Sequence, residues 1–255
     1  MSYKRSKYFT TSNKRKIKYL FIKKNSLITV VFFHGFMSDM IGAKPNAIQK
    51  FCKKQKLNFL KFEYSGHGKS TGKFVEGNIS KWTNDAIELI KAKTKKNKNL
   101  IFIGSSMGSW IALNLFSFFK KKIKGFIGIS SAPEFLEELM WKKFSKKIKK
   151  TIMNNKIYHL DHGEYTYPIT KQLILDGRKN KVLNNKINLR IPIVLLHGTN
   201  DEAVPINFSR KIFKIFKKSK KKLIKIKNGK HSLSRKSDLK KICSELNQMI
   251  KNHSI

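Results

Sequence analysis

A serine stands between two glycines at the spacing Gly-x-Ser-x-Gly in residues 104–108. This segment follows the apolar run Leu100–Ile103 and opens a helical pattern over Met107–Phe119. Such a turn from strand to helix projects the central hydroxyl above a sheet, beside the N-terminus of a helix. Only Ser106 has a glycine two positions away on each side, so Ser106 rather than Ser105 is the predicted nucleophile. The alternative interpretation is a glycine-rich turn in an ordinary strand-to-helix connection.

A serine hydroxyl is a weak nucleophile near neutral pH, and it needs a histidine base that an acid orients. Five histidines follow Ser106: His159, His162, His197, His231 and His253. His231 comes after the last predicted strand, in a loop that opens the last predicted helix. We therefore predict that His231 is the base.

Asp201 is the predicted acid. It lies five residues past Leu196, at the carboxyl end of a predicted buried strand, where open α/β sheets bind their ligands. Its neighbour Glu202 is the next candidate, whereas Asp238 lies inside the last predicted helix. The resulting order of serine, acid and histidine is the one that accompanies this kind of turn.

A serine that attacks a carbonyl carbon also needs two backbone N–H groups directed at the negative oxygen that forms. Met107 is predicted to supply one N–H group, and Phe36 the other, from a loop in which Gly35 allows a turn. His34 is predicted to pack and hydrogen-bond under this loop and to take no part in catalysis. Residues 66–70, Gly-His-Gly-Lys-Ser, lack the spacing of a phosphate-binding loop and are predicted to form a tight turn.

Short apolar runs alternate with helical patterns, which predicts an α/β fold with a mostly parallel central sheet flanked by helices. The predicted strands are Ile17–Ile22, Leu27–Phe33, Phe59–Tyr64, Leu100–Ile103, Gly125–Ile129, Ile193–Leu196 and Leu223–Ile226. The predicted helices are Pro45–Gln55, Ser80–Lys93, Met107–Phe119, Pro205–Phe216 and Ser234–Ile250. Several of the strand runs are apolar on both faces, which is typical of parallel strands covered on both sides.

Helix termini and one interruption complete this prediction. Ser80 is a candidate N-cap, and Pro45 and Pro205 suit the first turns of helices. The alternation stops between about residues 132 and 190, where helical and loop patterns replace it. We interpret this as a small helical cap, inserted at about residues 133–190 into a single domain that spans residues 1–255.

The chain has 255 residues and a formal net charge of +41, with 50 lysines and only six arginines. Lysine, asparagine and isoleucine have A/T-rich codons, so this composition is typical of a protein from an AT-rich genome. Proteins that read nucleic acid favour arginine and cluster their charge on one face, whereas the lysine runs here are scattered. We predict no specific nucleic-acid partner.

Cysteine content and hydropathy indicate the compartment. The two cysteines, Cys52 and Cys243, exclude a disulfide framework and a cysteine-rich zinc site. No apolar stretch approaches the ~18 residues of a membrane span, and the lysine-rich first 25 residues lack the arginine bias and apolar core of targeting peptides. We expect an unprocessed cytoplasmic protein of bacterial type, or a mitochondrial one if the source is a eukaryote.

Five segments together resemble one subfamily of the α/β hydrolases: residues 34–40, 62–70, 104–110, 197–205 and 229–235. This subfamily contains the mitochondrial palmitoyl-protein thioesterase, also described as mycophenolic acid acyl-glucuronide esterase, and its bacterial relatives. The resemblance runs from about Leu27 to Ile250. Ser109 departs from it, because the relatives have a second glycine at that position.

The resemblance implies hydrolysis of acyl esters or acyl thioesters, with Ser106, Asp201 and His231 at the matching triad positions. No metal and no organic cofactor is implied, and the substrate is a small molecule or an acylated protein. The alternatives are a carboxylesterase, lipase or acyltransferase on the same fold, or a basic binding module without catalysis.

The apolar residues of the predicted cap fall at helical spacing: Phe135, Leu136, Leu139, Met140 and Phe144. Such a stripe faces inward, and it packs on the edge of the sheet in the simpler interpretation. In the sharper interpretation Met140 and Trp141 cover an acyl pocket above Ser106. We take these two as candidate substrate-binding residues.

Overall fold

The structure is a computed structural model that describes residues 6–95, 99–162 and 165–251. Its main element is an eight-stranded sheet in the order β1-β2-β4-β3-β5-β6-β9-β10, and β7 and β8 form a separate two-stranded sheet. The strands are β1 (Lys7–Thr10), β2 (Lys16–Ile22), β3 (Ile28–Phe33), β4 (Asn58–Phe62), β5 (Asn99–Ser105), β6 (Ile123–Ile129), β7 (Ile157–His162), β8 (Tyr165–Thr170), β9 (Ile193–Gly198) and β10 (Lys221–Ile226).

The predicted mostly parallel sheet is confirmed. Strands β4, β3, β5, β6, β9 and β10 run parallel, whereas β1 pairs antiparallel with β2, and β2 antiparallel with β4. Every residue of β3 and of β9 is buried, because helices cover both faces of the sheet. At one edge β10 presents the exposed residues Lys221, Lys222 and Lys225, which oppose pairing with another sheet.

Helices lie on both faces of the main sheet. They are α1 (Ala43–Lys54), α2 (Ile79–Lys93), α3 (Met107–Asn114), α4 (Lys146–Asn155), α5 (Lys171–Lys179), α6 (Asn207–Ile215) and α7 (Lys236–Lys251). On one face the buried side chains of α1 and α7 pack against the sheet. On the other face α2, α3, α5 and α6 contribute to a larger apolar core.

Each of the seven predicted strands and five predicted helices is present, with shifts at the ends. The N-cap prediction at Ser80 was wrong, because Asn78 accepts the backbone N–H of Lys81 and begins α2. The Ser80 hydroxyl donates instead to the carboxylate of Asp176, 2.7 Å away. Pro205 lies two residues before α6.

The segment between β6 and β9 contains more than helix. Leu136–Met140 forms one π-helical turn, Trp141–Lys143 a 3₁₀ turn, and α4 and α5 flank the antiparallel hairpin of β7 and β8. The sequence predicted only helices and loops in this segment, so the hairpin of β7 and β8 was missed. Strand β1 was also not predicted.

Polar contacts join distant parts of this segment between β6 and β9, which we call the inserted segment. A carboxylate oxygen of Glu134 accepts the backbone N–H groups of Val182 and Leu183, at 2.8 and 2.7 Å. Within the segment Arg178 donates to Glu137 at 2.7 Å. The segment is joined to the body of the protein by Trp110 of α3, whose Nε1 donates to the carbonyl oxygen of Asn180 at 2.8 Å.

Candidate active site

Ser106 lies in a sharp turn between β5 and α3, with a φ of 52° that few residues other than glycine adopt. The glycines around it are required by close contacts. A Cβ atom at Gly108 would overlap the carbonyl oxygens of Phe33 and His34, and one at Gly104 would overlap the backbone of Ser109. The turn therefore brings the start of α3 directly against the end of β3 and exposes the Ser106 side chain at the sheet edge.

The three predicted residues from distant parts of the chain meet at this edge. The Ser106 hydroxyl lies 3.1 Å from Nε2 of His231. The other ring nitrogen of His231, Nδ1, lies 2.9 and 3.0 Å from the two carboxylate oxygens of Asp201. A histidine in this position can accept the serine proton at Nε2 while a carboxylate fixes its tautomer through Nδ1.

Asp201 is held in place by its own turn. Its Oδ1 accepts the backbone N–H groups of Ala203 and Val204, at 3.1 and 2.9 Å, and its side chain is 1% exposed. Burial alone would raise the pKa of Asp201, but the hydrogen bond from His231 and the other donors hold the pKa below its usual value. The carboxylate therefore stays ionised next to the histidine.

His197 lies beneath this acid. Its Nε2 donates to the carbonyl oxygen of Val204 at 2.8 Å, and its Nδ1 lies 3.0 Å from the hydroxyl of Ser209. Burial lowers the pKa of His197, and Nε2 is 3.5 Å from Oδ2 of Asp201. This neutral histidine links the acid turn to α6, and it does not contact Ser106 in any described hydrogen bond.

The other candidates from the sequence are placed elsewhere. Glu202 is exposed at the rim of the site, and Asp238 is engaged by Arg235 at 2.8 Å. His159 is exposed on β7, and His253 and the side chain of His162 lie outside the described residues.

The loop after β3 runs next to the nucleophile. A Cβ atom at Gly35 would lie 3.5 Å from Cβ of Ser106, so the backbone of Gly35 and Phe36 borders the Ser106 side chain. The Phe36 ring is fixed by rings around it, with centroids 5.0 Å from Phe74 and 5.3 Å from Phe135. Met107 is the first residue of α3, so helix geometry leaves its N–H without a carbonyl partner inside the helix.

His34 supports this loop from below. It is buried, and its Nδ1 donates to the carbonyl oxygen of Gly35 at 2.8 Å. Burial lowers the pKa of His34 to about 4, although the hydrogen bond to Gly35 opposes the shift. Residues 66–70 form the expected tight turn, with positive φ at Gly66 and Gly68.

A cavity of about 570 Å³ opens above Ser106 and His231. Its apolar wall includes Phe36, Phe135, Leu139, Met140, Leu160 and Tyr167. The inward-facing stripe of the inserted segment thus contributes to the cavity, and Met140 is part of it. Lys44 and Lys143 border the cavity together with Asp39 and Glu202.

Trp141 is not among the residues that line this cavity. Its ring lies beneath the guanidinium of Arg178, at 4.7 Å, and 5.8 Å from Nζ of Lys149. Regular helical spacing does not apply here, because the chain passes from a π-helical to a 3₁₀ turn at this residue. The structure therefore corrects the placement of Trp141, which packs between α4 and α5.

Sequence reasoning missed two residues of the cavity wall, Leu160 on β7 and Tyr167 on β8. A signal was available, because residues 165–170 (Tyr-Thr-Tyr-Pro-Ile-Thr) are rich in strand-forming types after a glycine. Pro168 favours an edge strand over a central one, which suits a two-stranded sheet.

Among the described residues, no three or more histidine, cysteine, aspartate or glutamate side chains are grouped so as to hold a metal ion. None of the helices in residues 6–95, 99–162 and 165–251 combines the length and apolar character needed to span a bilayer.

The sequence profile of the family described as serine aminopeptidase S33 matches residues 24–166, more than half of the chain. The chain belongs to this family of α/β hydrolases. The matched residues include the Phe36 loop and the turn around Ser106, and the fold confirms the α/β-hydrolase resemblance.

Individual relatives agree with this assignment. The α/β hydrolase is 26% identical over 224 residues to the human mitochondrial palmitoyl-protein thioesterase ABHD10, covering 87% of this chain and 72% of the human protein. A crystal structure from Agrobacterium vitis S4 superposes with a TM-score of 0.91 and 27% identity, covering 96% of this chain and 98% of that one. The mouse α/β hydrolase domain-containing protein 10 gives a TM-score of 0.87 and 25% identity, with 97% and 99% coverage.

Proposed function

We propose that this α/β hydrolase cleaves acyl esters or acyl thioesters through an acyl-enzyme intermediate on Ser106. The observation that carries the proposal is the continuous hydrogen-bonded series from Ser106 through His231 to Asp201. A side chain from each of three distant segments is needed to build it, and a non-catalytic binding module has no use for this arrangement. Family membership supports the same reaction class.

The proposed reaction has two stages. His231 Nε2 takes the Ser106 proton as the serine oxygen bonds to the acyl carbon, and the backbone N–H groups of Phe36 and Met107 stabilise the resulting oxyanion. The histidine then gives the proton to the leaving oxygen or sulfur as its bond to the acyl carbon breaks, so the alcohol or thiol departs and the acyl group remains on Ser106. In the second stage His231 activates water, which attacks the same carbon and frees the acid and Ser106.

The cavity supports an extended apolar acyl group as the substrate. Aromatic and aliphatic side chains of the inserted segment cover one side, with Met140 as a proposed contact to the chain. The mammalian relatives are named as palmitoyl-protein thioesterases. We therefore place long-chain acyl thioesters, such as S-palmitoyl groups on proteins, first among the candidates, followed by acyl glucuronides and simple carboxylic esters.

The compartment belongs to the same proposal. Cys52 and Cys243 are both free, which suits a reducing environment. We propose a cytoplasmic location for a bacterial protein, and a mitochondrial one for a eukaryotic protein as in the relatives.

The decisive experiment measures kcat/KM of the purified protein on acyl esters and acyl thioesters from two to sixteen carbons. Thioester turnover that increases with chain length supports the proposal. An aminoacyl anilide tests the peptidase activity that the family description suggests. Absence of turnover in all three series, together with no labelling of Ser106 by a fluorophosphonate, would contradict a serine hydrolase and favour the basic binding module.

A further inference from the structure

Two exposed apolar side chains lie on the loop that borders the candidate active site. Met37 is 42% exposed and Ile41 is 55% exposed, whereas Ser38, Asp39 and Gly42 of the same loop line the cavity. Met37 and Ile41 are therefore direct chain neighbours of residues that line the cavity, and they stand at its mouth with their side chains exposed. Among the described residues, the other large exposed hydrophobic side chains lie on other elements: Tyr8, Leu27, Phe118 and Leu175.

The exposure of this loop is fixed by hydrogen bonds. Asp39 accepts the backbone N–H of Ile41 at 2.7 Å, and the Asn46 amide donates to the carbonyl oxygen of Ile41. Asn46 is held in turn by Lys61 at 2.8 Å. Between the two exposed residues Met40 is buried and anchors the loop to the body of the protein. The apolar side chains are therefore presented to the outside by an ordered loop.

The net positive charge of the whole molecule attracts an anionic partner, and no local cluster of basic residues is needed for this attraction. A net charge of 41 over 13485 Å² of accessible surface is about three positive charges on each 1000 Å², which is attractive to acidic lipid headgroups. Near the mouth, Lys143 and Lys230 are exposed, and Asp39 and Glu202 are the acidic residues on the cavity border. Attraction of this kind is screened by salt, whereas insertion of apolar side chains is not.

We propose that residues 37–41 dock the enzyme on an anionic lipid bilayer, with Met37 and Ile41 entering the interface and the cavity mouth facing the membrane. The proposal rests on the proposed function, since an acyl chain anchored in a bilayer would then enter the cavity without crossing water. Charge brings the molecule to the surface, and the two apolar side chains set its orientation.

Co-sedimentation with vesicles tests this docking directly. Wild-type protein is compared with Met37→Ser/Ile41→Ser on vesicles of phosphatidylcholine alone and with 30% phosphatidylglycerol. The matched control is Leu27→Ser/Phe118→Ser, because those side chains are 58% and 56% exposed and lie away from the mouth, before β3 and after α3. We expect the wild type and the control to bind the anionic vesicles equally. Met37→Ser/Ile41→Ser, which we call the mouth variant, should bind these vesicles at least about tenfold more weakly.

Turnover of a soluble acetyl ester separates this proposal from the proposed function. All variants should hydrolyse it like the wild type, because Met37 and Ile41 lie outside the cavity lining. Equal vesicle binding by wild type and mouth variant overturns the docking proposal, as does equal loss in the control. A dimer of the wild type that the mouth variant loses, seen by gel filtration, also overturns it and assigns the loop to a second copy. Vesicle binding by a protein that turns over no ester, thioester or anilide and is not labelled by a fluorophosphonate leaves docking standing and contradicts the hydrolase.

Discussion

The cavity is formed where two regions meet, and these regions are held together differently. On the sheet side, backbone contacts fix the geometry: α3 approaches β3 so closely that only Gly108 fits, and backbone N–H groups hold Asp201. On the side of the inserted segment, apolar side chains such as Leu139 and Met140 form the wall. Backbone contacts tolerate almost no substitution, whereas an apolar wall can change its shape. We infer that the sheet side carries the reaction and the inserted segment selects the acyl group.

The largest effect is expected at Ser106. In Ser106→Ala the oxygen that would bond to the acyl carbon is absent, so kcat should fall to near background, about a millionfold. Labelling by a fluorophosphonate should disappear with it, while circular dichroism shows that the protein is folded. Labelling of the variant at the wild-type level would assign the nucleophile to another residue.

The next largest effect is expected at the acid. Asp201→Asn keeps the size of the side chain but places an amide opposite Nδ1 of His231, which disfavours the required tautomer, so kcat should fall about ten-thousandfold. The neighbouring Glu202→Gln is the matched control, because Glu202 is exposed and makes no described hydrogen bond to His231. Near-normal kcat in Asp201→Asn with a large loss in Glu202→Gln would reverse the assignment.

Acid should lower the stability of the protein through histidines that are buried on the sheet side. His34 is neutral in the folded protein, with its pKa lowered from 6.5 to about 4 by burial, and burial also lowers the pKa of the adjacent His67. Between pH 6.5 and pH 4 the unfolded chain binds the proton that folded His34 excludes. The free energy of unfolding should therefore fall as the pH falls through this window, by about 3 kcal/mol from His34 alone.

Urea denaturation at pH 7, 5.5 and 4 measures this slope. His34→Gln should show a smaller loss of stability over the window than the wild type. His159→Gln is the matched control for replacing a histidine by glutamine, because His159 is exposed on β7. An unchanged slope in His34→Gln would show that His34 has the same pKa in the folded and the unfolded chain.

The contrast between the two regions also explains what the sequence could predict. Close backbone contacts leave room only for glycine at positions 104 and 108. The two glycines therefore identify the turn, and Ser106 within it, from the sequence alone. Chain order then singled out Asp201 and His231, because parallel strands bring their carboxyl ends to one edge.

Predictions failed where tertiary contacts decide the local structure. Ser80 is a residue type that often caps helices, but its hydroxyl donates to Asp176, which is 96 residues away in the sequence. Asn78 caps the helix instead. Trp141 is a second example, because its ring packs against the guanidinium of Arg178 on α5. Neither Asp176 nor Arg178 is near its partner in the sequence, so spacing alone could not reveal these contacts.

Met140 and Trp141 therefore offer the sharpest test of the inserted segment, although the expected effect is the smallest. Each buried CH₂ of an acyl chain contributes about 0.8 kcal/mol, so kcat/KM should rise with chain length in the wild type. Met140→Ala removes part of the cavity wall and should lower kcat/KM about tenfold for sixteen-carbon substrates, with little change for acetyl esters. Trp141→Ala should keep the wild-type dependence on chain length and lose only the stability of its contact with Arg178, about 1 kcal/mol.

Measuring both variants across two to sixteen carbons, with their urea midpoints, separates a wall residue from a packing residue. An equal loss at all lengths in Met140→Ala would show that the inserted segment is scaffold at this position and that acyl selection lies elsewhere.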